Sequence, residues 1–331
     1  MKELPAIVAA LHDPGALPAV LATLVSAVGS SYRRPGARLL LTADARRVGS
    51  ISGGCLEEDV IARARRVRES GLPEAVVYDT TSENDLVWGV GLGCHGVVKV
   101  LLERIAECPE WARQLERNSR QRAKTSLLVR HDGSEPAHWG TQLAHTEANP
   151  PTGDTFFQTI APPTSLVIFG AGDDAQPLVR LAKELGWRVT VADPRPAFAT
   201  ASRFPLADAC VAGPVDQLVS QIAPDSATLA VIMTHHYVHD LPLLGALLPR
   251  PLAYLGLLGP KKRAERLLAD LAARGVTVAA AQRACLHAPV GLDLGADAPE
   301  QVALAIVAEM QATLNGRDAR PLRERTRPIH E

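Results

Sequence analysis

The sequence predicts an α/β protein: a doubly wound parallel sheet in the back half, joined to a mixed α/β domain in front. Three observations predict it. Val167-Ile168-Phe169-Gly170-Ala171-Gly172-Asp173-Asp174-Ala175 runs from an apolar strand through a glycine turn into a helix, and Arg188-Val189-Thr190-Val191-Ala192-Asp193 adds a second strand ending on a carboxylate. From residue 164 onward, strand-type and helix-type segments alternate regularly, the pattern of a parallel sheet with helices on both faces. Before residue 105 they do not alternate.

In the front half, residues 1–105, Glu3 to Leu11 reads as a helix stopped by Asp13-Pro14-Gly15. Ala19 to Val28 and Arg38 to Thr42 are β-rich apolar runs. Leu56 to Arg68 reads as a helix closed by Gly71 and Pro73, with strands at Val76 to Asp79 and Val97 to Leu102. Residues 106–163 are richer in turn formers and read as a connector with one hairpin, Ser126 to Arg130 returning at Gln142 to Ala144. In residues 164–331, strands fall at Leu166–Phe169, Arg188–Ala192, Ala209–Val211, Leu229–Met233 and Leu252–Leu255. Helices fall at Ala175–Leu185, Leu241–Leu248 and Lys261–Ala272, and a last one, Pro299 to Leu314, opens with proline as a helix should.

Composition narrows the function. The net charge is −1 and aromatics make up 4%, so neither a global field nor a stacking surface points to nucleic acid. No apolar run approaches the roughly 18 residues of a membrane helix, and Met1-Lys2-Glu3-Leu4-Pro5 lacks a signal-peptide pattern. The five cysteines show no zinc-finger spacing, so the expected compartment is the cytoplasm, with free thiols.

The glycine turn carries the clearest chemistry. Gly170 allows the tight turn, Gly172 lets a phosphate approach the backbone, and Asp193 stands where a dinucleotide's ribose would be read. Asp173 and Asp174 suit the helix dipole but compete with a pyrophosphate for the same amides. Ser52-Gly53-Gly54-Cys55-Leu56-Glu57-Glu58-Asp59 places Cys55 at a helix start. There the dipole favours thiolate while the carboxylates oppose it; a buried structural cysteine is the plain alternative. Gly89-Val90-Gly91-Leu92-Gly93-Cys94-His95-Gly96 is a second glycine-dense turn with a thiol. Together these turns suggest a pocket with exposed amides and two soft sulfur ligands for a thiophilic metal complex. Gly29 to Arg38 holds Arg33, Arg34 and Arg38, forks suited to phosphate oxygens or simply to solvent. His235, His236 and His239 beside Asp240 offer a metal set or a capping loop. Lys261 opens a basic cluster at a helix start, where cations oppose the dipole unless an anion lies near. His287 sits in a loop whose local pattern yields no chemistry.

Taken together these residues resemble the XdhC/CoxI family of xanthine dehydrogenase accessory factors. The resemblance rests on Gly29-Ser30-Ser31 and the arginine loop, Ser52 to Glu57 and Gly91 to Cys94 in front. Behind, it rests on Gly170-Ala171-Gly172, Asp193-Pro194-Arg195, the His235 segment, Tyr254 to Gly259 and Ala288 to Gly295. It covers nearly all the chain except the connector. It implies a Rossmann-like back domain and a role in maturing the molybdenum cofactor (molybdopterin). In that role the protein binds the cofactor, supports its sulfuration with sulfur from a cysteine desulfurase, and hands it to a xanthine dehydrogenase-type molybdenum hydroxylase. Carried over, Cys55 and Cys94 are candidates for contacting the molybdenum centre or assisting sulfur transfer, with Gly53, Gly54, Gly91 and Gly93 as the cofactor-binding backbone beside them. From the residues themselves rather than from the resemblance, Arg33 and Arg34 are the candidates for the pterin phosphate. A homodimer is expected, with no nucleic-acid or membrane partner. The alternatives are an NAD(P)-dependent oxidoreductase on Gly170, Gly172 and Asp193, and a metal-dependent hydrolase on the three histidines.

Overall fold

The computed structural model describes residues 3–54, 56–79, 81, 96–144 and 153–326. Two compact units divide the chain, Met1–Pro162 and Pro163–Glu331.

The front unit begins with helix α1 (Glu3–Leu11) and strands β1 (Ala19–Gly29), β2 (Arg38–Leu41) and β3 (Arg47–Gly49). Helix α2 (Glu57–Ser70) and strands β4 (Glu74–Asp79) and β5 (Gly96–Ile105) follow. The strands form an antiparallel sheet in the order β3-β2-β1-β5-β4. Alternation along β1 decides its two faces. Val20, Ala22 and Leu24 pack with Val60, Ala64 and Val67 of α2. Ala19 and Leu21 pack with Ile7 and Leu11 of α1 on the opposite side.

Residues 106–163 are read from sequence as a connector, but the described ones up to Pro162 belong to this unit and add to its core. They carry helix α3 (Glu110–Gln121) and strands β6 (Thr125–Arg130), β7 (Gly140–Leu143) and β8 (Thr155–Ile160), the strands forming an antiparallel sheet in the order β7-β6-β8. Trp111, Ala112, Leu115 and Leu127 complete the cluster begun by α1 and β1. The β6–β7 pairing, Leu127 opposite Leu143 to Arg130 opposite Gly140, falls where the hairpin was expected.

The back unit contains β9 (Ser165–Phe169), α4 (Ala175–Glu184), β10 (Arg188–Asp193), β11 (Ala209–Ala212), α5 (Val215–Ile222), β12 (Thr228–Ile232) and α6 (Tyr237–Leu247). It continues with β13 (Tyr254–Leu257), α7 (Lys261–Ala273), α8 (Ala280–Ala284), β14 (Leu286–His287) and α9 (Pro299–Leu314). The sheet is parallel throughout, in the order β11-β10-β9-β12-β13-β14. Helices α4 and α9 cover one face around Ile168 and Val231; α5, α6 and α7 cover the other around Phe169 and Ile232. This is the doubly wound architecture the alternation predicts. The connections reverse direction between β9 and β12, so the crevice lies at their carboxyl ends. Among the described residues no helix is long and apolar enough to cross a membrane.

Candidate functional site

In the front unit, the turn before α2 is built around one carboxylate. Glu57, the first residue of α2, accepts hydrogen bonds from the Ser52 amide (3.0 Å), from Ser50 Oγ (3.2 Å) and from Ser52 Oγ. Ser52 Oγ in turn accepts from the amides of Gly54 (3.1 Å) and Leu56 (3.3 Å). An acid at this position also suits the positive end of the helix. Burial works to raise the Glu57 carboxyl, but the Ser52, Ser50 and backbone bonds outweigh it and hold it below the usual carboxylate range. Gly54 has φ +115°, and a Cβ there would meet nothing within 4 Å, so its backbone is bare on that side. Gly53 lies against the Tyr32 ring, 3.7 Å from where its Cβ would stand. Cys55, Gly91, Gly93 and Cys94 lie outside the described residues.

The arginine loop divides. Arg33 pairs with Glu3 of α1, so its fork is engaged within the fold rather than presented to a ligand. Arg34 is exposed. Arg38 is buried, donating to Gly36 O (2.9 Å) and to Gln158 Oε1 on β8 (2.8 Å). Of the three, Arg34 is the one left on the surface for an anion.

At the back-unit crevice, Gly170 has φ +125° and a Cβ there would sit 2.5 Å from Met233 O. Glycine is required because the chain leaving β9 runs directly beside the chain leaving the parallel neighbour β12, with no room for a side chain. Asp193, expected to read a ribose, is fully buried. Its Oδ2 accepts from the Ala171 amide (2.7 Å) and Arg195 Nη2 (2.8 Å), and its Oδ1 from the Arg195 amide (2.9 Å) and Nε (2.8 Å). Burial works to raise this carboxyl, but Arg195 and the two amides hold it below the usual range. Four donors fill the carboxylate, so a nucleotide ribose read through Asp193 does not fit. The two acids at the α4 start are also engaged: Asp173 with Arg203 (2.8 Å) and Asp174 with His235 Nε2 (2.7 Å). A pyrophosphate there would meet two carboxylates at the amides it needs.

The histidine segment does not assemble as an expected metal set. His235 takes a left-handed φ of +60° before α6 and turns to Asp174, while His236 and His239 face each other with ring centroids 5.4 Å apart. Among the described residues no group of three or more His, Cys, Asp or Glu side chains could hold a metal. The loop is organised instead by Asp240, buried and bonded to Thr234 Oγ1 (2.5 Å) and Arg263 Nη2 (2.6 Å). Lys261 and Lys262 are exposed at the start of α7, while Arg263 turns inward to Asp240, so part of that basic cluster is neutralised within the fold.

Sequence reasoning missed one further cluster at the carboxyl end of β14. Glu309 on α9 accepts from Tyr254 Oη (2.5 Å) and the Gly291 amide (2.8 Å), and lies 3.1 Å from His287 Nδ1. The Tyr254 and His287 rings stack with centroids 4.2 Å apart. Glu309 is more than twenty residues from His287, and no local pattern links them.

A parallel doubly wound sheet with this glycine turn is a Rossmann domain, and residues 166–310 match the XdhC Rossmann domain. Residues 16–79 match the XdhC and CoxI family, and the chain belongs to that family. It is 36% identical over 317 residues to a probable xanthine dehydrogenase subunit of Bacillus subtilis (strain 168), covering 89% of this chain and 93% of that one. It is 26% identical over 293 residues to the molybdenum cofactor insertion chaperone PaoD of Escherichia coli (strain K12), covering 88% of this chain and 82% of that one. A crystal structure of a xanthine dehydrogenase from Bacillus halodurans matches with a TM-score of 0.81 at 30% identity, over 97% of this chain and 99% of the other.

Proposed function

We propose that this chain is an accessory factor that binds the molybdenum cofactor as cargo, supports its sulfuration with sulfur from a cysteine desulfurase, and delivers it to a xanthine dehydrogenase-type molybdenum hydroxylase. In this reading it works in the cytoplasm as a homodimer. The observation that carries the reading is family membership across both units, joined to near full-length similarity to a molybdenum cofactor insertion chaperone.

The Ser52–Gly54 turn supports the same reading. Its bare glycine backbone at the start of α2, held by Glu57, leads directly into Cys55. Soft thiolates suit molybdenum in a sulfur-rich complex. Cys55 and Cys94 are the proposed ligands or sulfur-handling groups, Gly53, Gly54, Gly91 and Gly93 the close-approach backbone, and Arg34 the phosphate contact. The oxidoreductase alternative has less support, because the carboxylate it needs is filled by Arg195 and Ala171.

The test is molybdenum retention. Purified protein incubated with the cofactor and desalted keeps molybdenum, and Cys55→Ala or Cys94→Ala lowers the amount kept. If neither substitution changes it, the cysteine roles fail. A host lacking the protein makes molybdenum hydroxylase that carries cofactor without its sulfido ligand; fully sulfurated enzyme there would refute the function.

A further inference from the structure

Cys108, between β5 and α3, stands apart from the other described thiols. Its Sγ lies 3.7 Å from His12 Nδ1, and His12 Nε2 lies 3.2 Å from Glu116 Oε2 on α3. An ionised carboxylate only accepts, so Glu116 fixes the tautomer with the proton on Nε2. The Nδ1 lone pair then faces the thiol. This is the order of groups found where a base activates a sulfur nucleophile and a third group orients the base. His12 and Glu116 are 38% and 40% exposed, so a reactant can reach them. Cys108 sits two residues before the first turn of α3, and its Sγ also lies 4.0 Å from the Pro109 carbonyl oxygen. Arg113 Nη1 donates to the Cys108 carbonyl, holding a cation beside it.

We propose that Cys108, His12 and Glu116 form a nucleophilic thiol site that accepts the outer sulfur of a persulfide. The choice of persulfide rests on the cofactor-sulfuration reading; the geometry of the thiol site does not. Burial pushes the Cys108 thiol up, against Arg113 and with Glu116 and Glu110 adding to it, so the resting group is the protonated thiol and the step needs a base. His12 Nδ1 takes the Sγ proton as Sγ attacks the outer sulfur of R–S–SH. The donor's S–S bond breaks and its inner sulfur leaves as thiolate, which takes the proton back from the imidazolium. The sum, Cys108–SH + R–S–SH → Cys108–S–SH + R–SH, needs no external oxidant.

The test is peptide mass spectrometry of the whole protein after timed exposure to glutathione persulfide. The Cys108 peptide gains one sulfur atom. His12→Asn, with an unchanged circular dichroism spectrum, slows that gain about a hundredfold, the size of a lost general base. Glu116→Gln slows it about tenfold at saturating donor while leaving the donor concentration for half-maximal rate unchanged, a split that a merely structural role would not produce. The proposal is overturned if Cys108 gains no sulfur, or if it gains it at the same rate in His12→Asn. Molybdenum retention measured on the same preparation reports separately on the cofactor reading.

Discussion

The Asp193 carboxylate receives the Ala171 amide hydrogen at 2.7 Å, and this bond ties the end of β10 to the glycine turn after β9. Arg195 fills the remaining positions. A carboxylate placed where nucleotide-binding sheets read a ribose is here a strut that shapes its own turn.

Asp193→Ala therefore acts on stability. It leaves the buried Ala171 amide unsatisfied and takes the partner from the part-exposed Arg195, a loss of about 2 kcal/mol that comes mainly from the unmet amide. Urea denaturation followed by far-ultraviolet circular dichroism measures it. The pH dependence has a definite sign. The folded carboxyl is held below its unfolded value, so its contribution is complete above about pH 4 and is lost as pH falls through the folded value. Asp193→Asn flattens that acid limb. A variant as stable as the parent at neutral pH would show that the strut is dispensable.

Gly170→Ala tests the turn itself. An alanine would hold φ +125° and bring Cβ within 2.5 Å of the Met233 carbonyl, and backbone on both sides cannot yield cheaply. The expected cost is about 2 kcal/mol or more, seen as a lower thermal midpoint. An unchanged midpoint would mean that the two strand ends part freely.

Glu103 and Arg38 make the front unit sensitive to pH in the opposite sense. Both are buried on the face of the five-stranded sheet that meets β7 and β8. Glu103 accepts from the Thr141 amide (2.9 Å) and Oγ1, while Arg38 Nε and Nη2 have no described partner. Burial pulls Arg38 down to about 10 against the opposing charge of Glu103. Burial also pushes the Glu103 carboxyl up, more than Thr141 and Arg38 pull it down. An acid that binds its proton more tightly when folded loses stability as pH rises from the unfolded value near 4 to the folded value. Glu103→Gln keeps the shape and removes that decline, as urea midpoints across the range would register. A decline of equal slope in the variant would assign it to another group.

The back unit was legible because helix-covered parallel strands are apolar runs separated by helical periods, a pattern that survives in sequence. The start of α6 was not. The sequence placed it at Leu241, with Pro242 in the first turn. Asp240, anchored by Thr234 and Arg263, instead lets the helix begin at Tyr237. Helix α3 was hidden because Trp111, Ala112 and Leu115 are its buried residues within an otherwise polar stretch. At the sites, residue types were readable but partners were not. Glu3 lies thirty residues before Arg33, and Cys108 ninety-six after His12; only the antiparallel fold of the front unit brings such pairs together. Glu57 follows Ser52 by five residues rather than the three of a capping box, so the familiar pattern does not flag it.

That spacing leads to the prediction most specific to the proposed site. Glu57 holds Ser50 and Ser52, and Ser52 holds the amides of Gly54 and Leu56, so one carboxylate positions the backbone on both sides of Cys55. Glu57→Ala frees that backbone without touching the cysteine. Retained molybdenum falls about tenfold, the usual cost of losing a group that orients a ligand. Glu57→Gln, which keeps one acceptor oxygen, falls less. Because the folded carboxyl is held below its usual range, retention by the parent protein is flat above about pH 4.5 on this group's account and declines only in acid. Elemental analysis of desalted protein reads both effects. Equal retention by the parent and Glu57→Ala would separate the turn from cofactor binding and leave Glu57 as a helix-terminal acid alone.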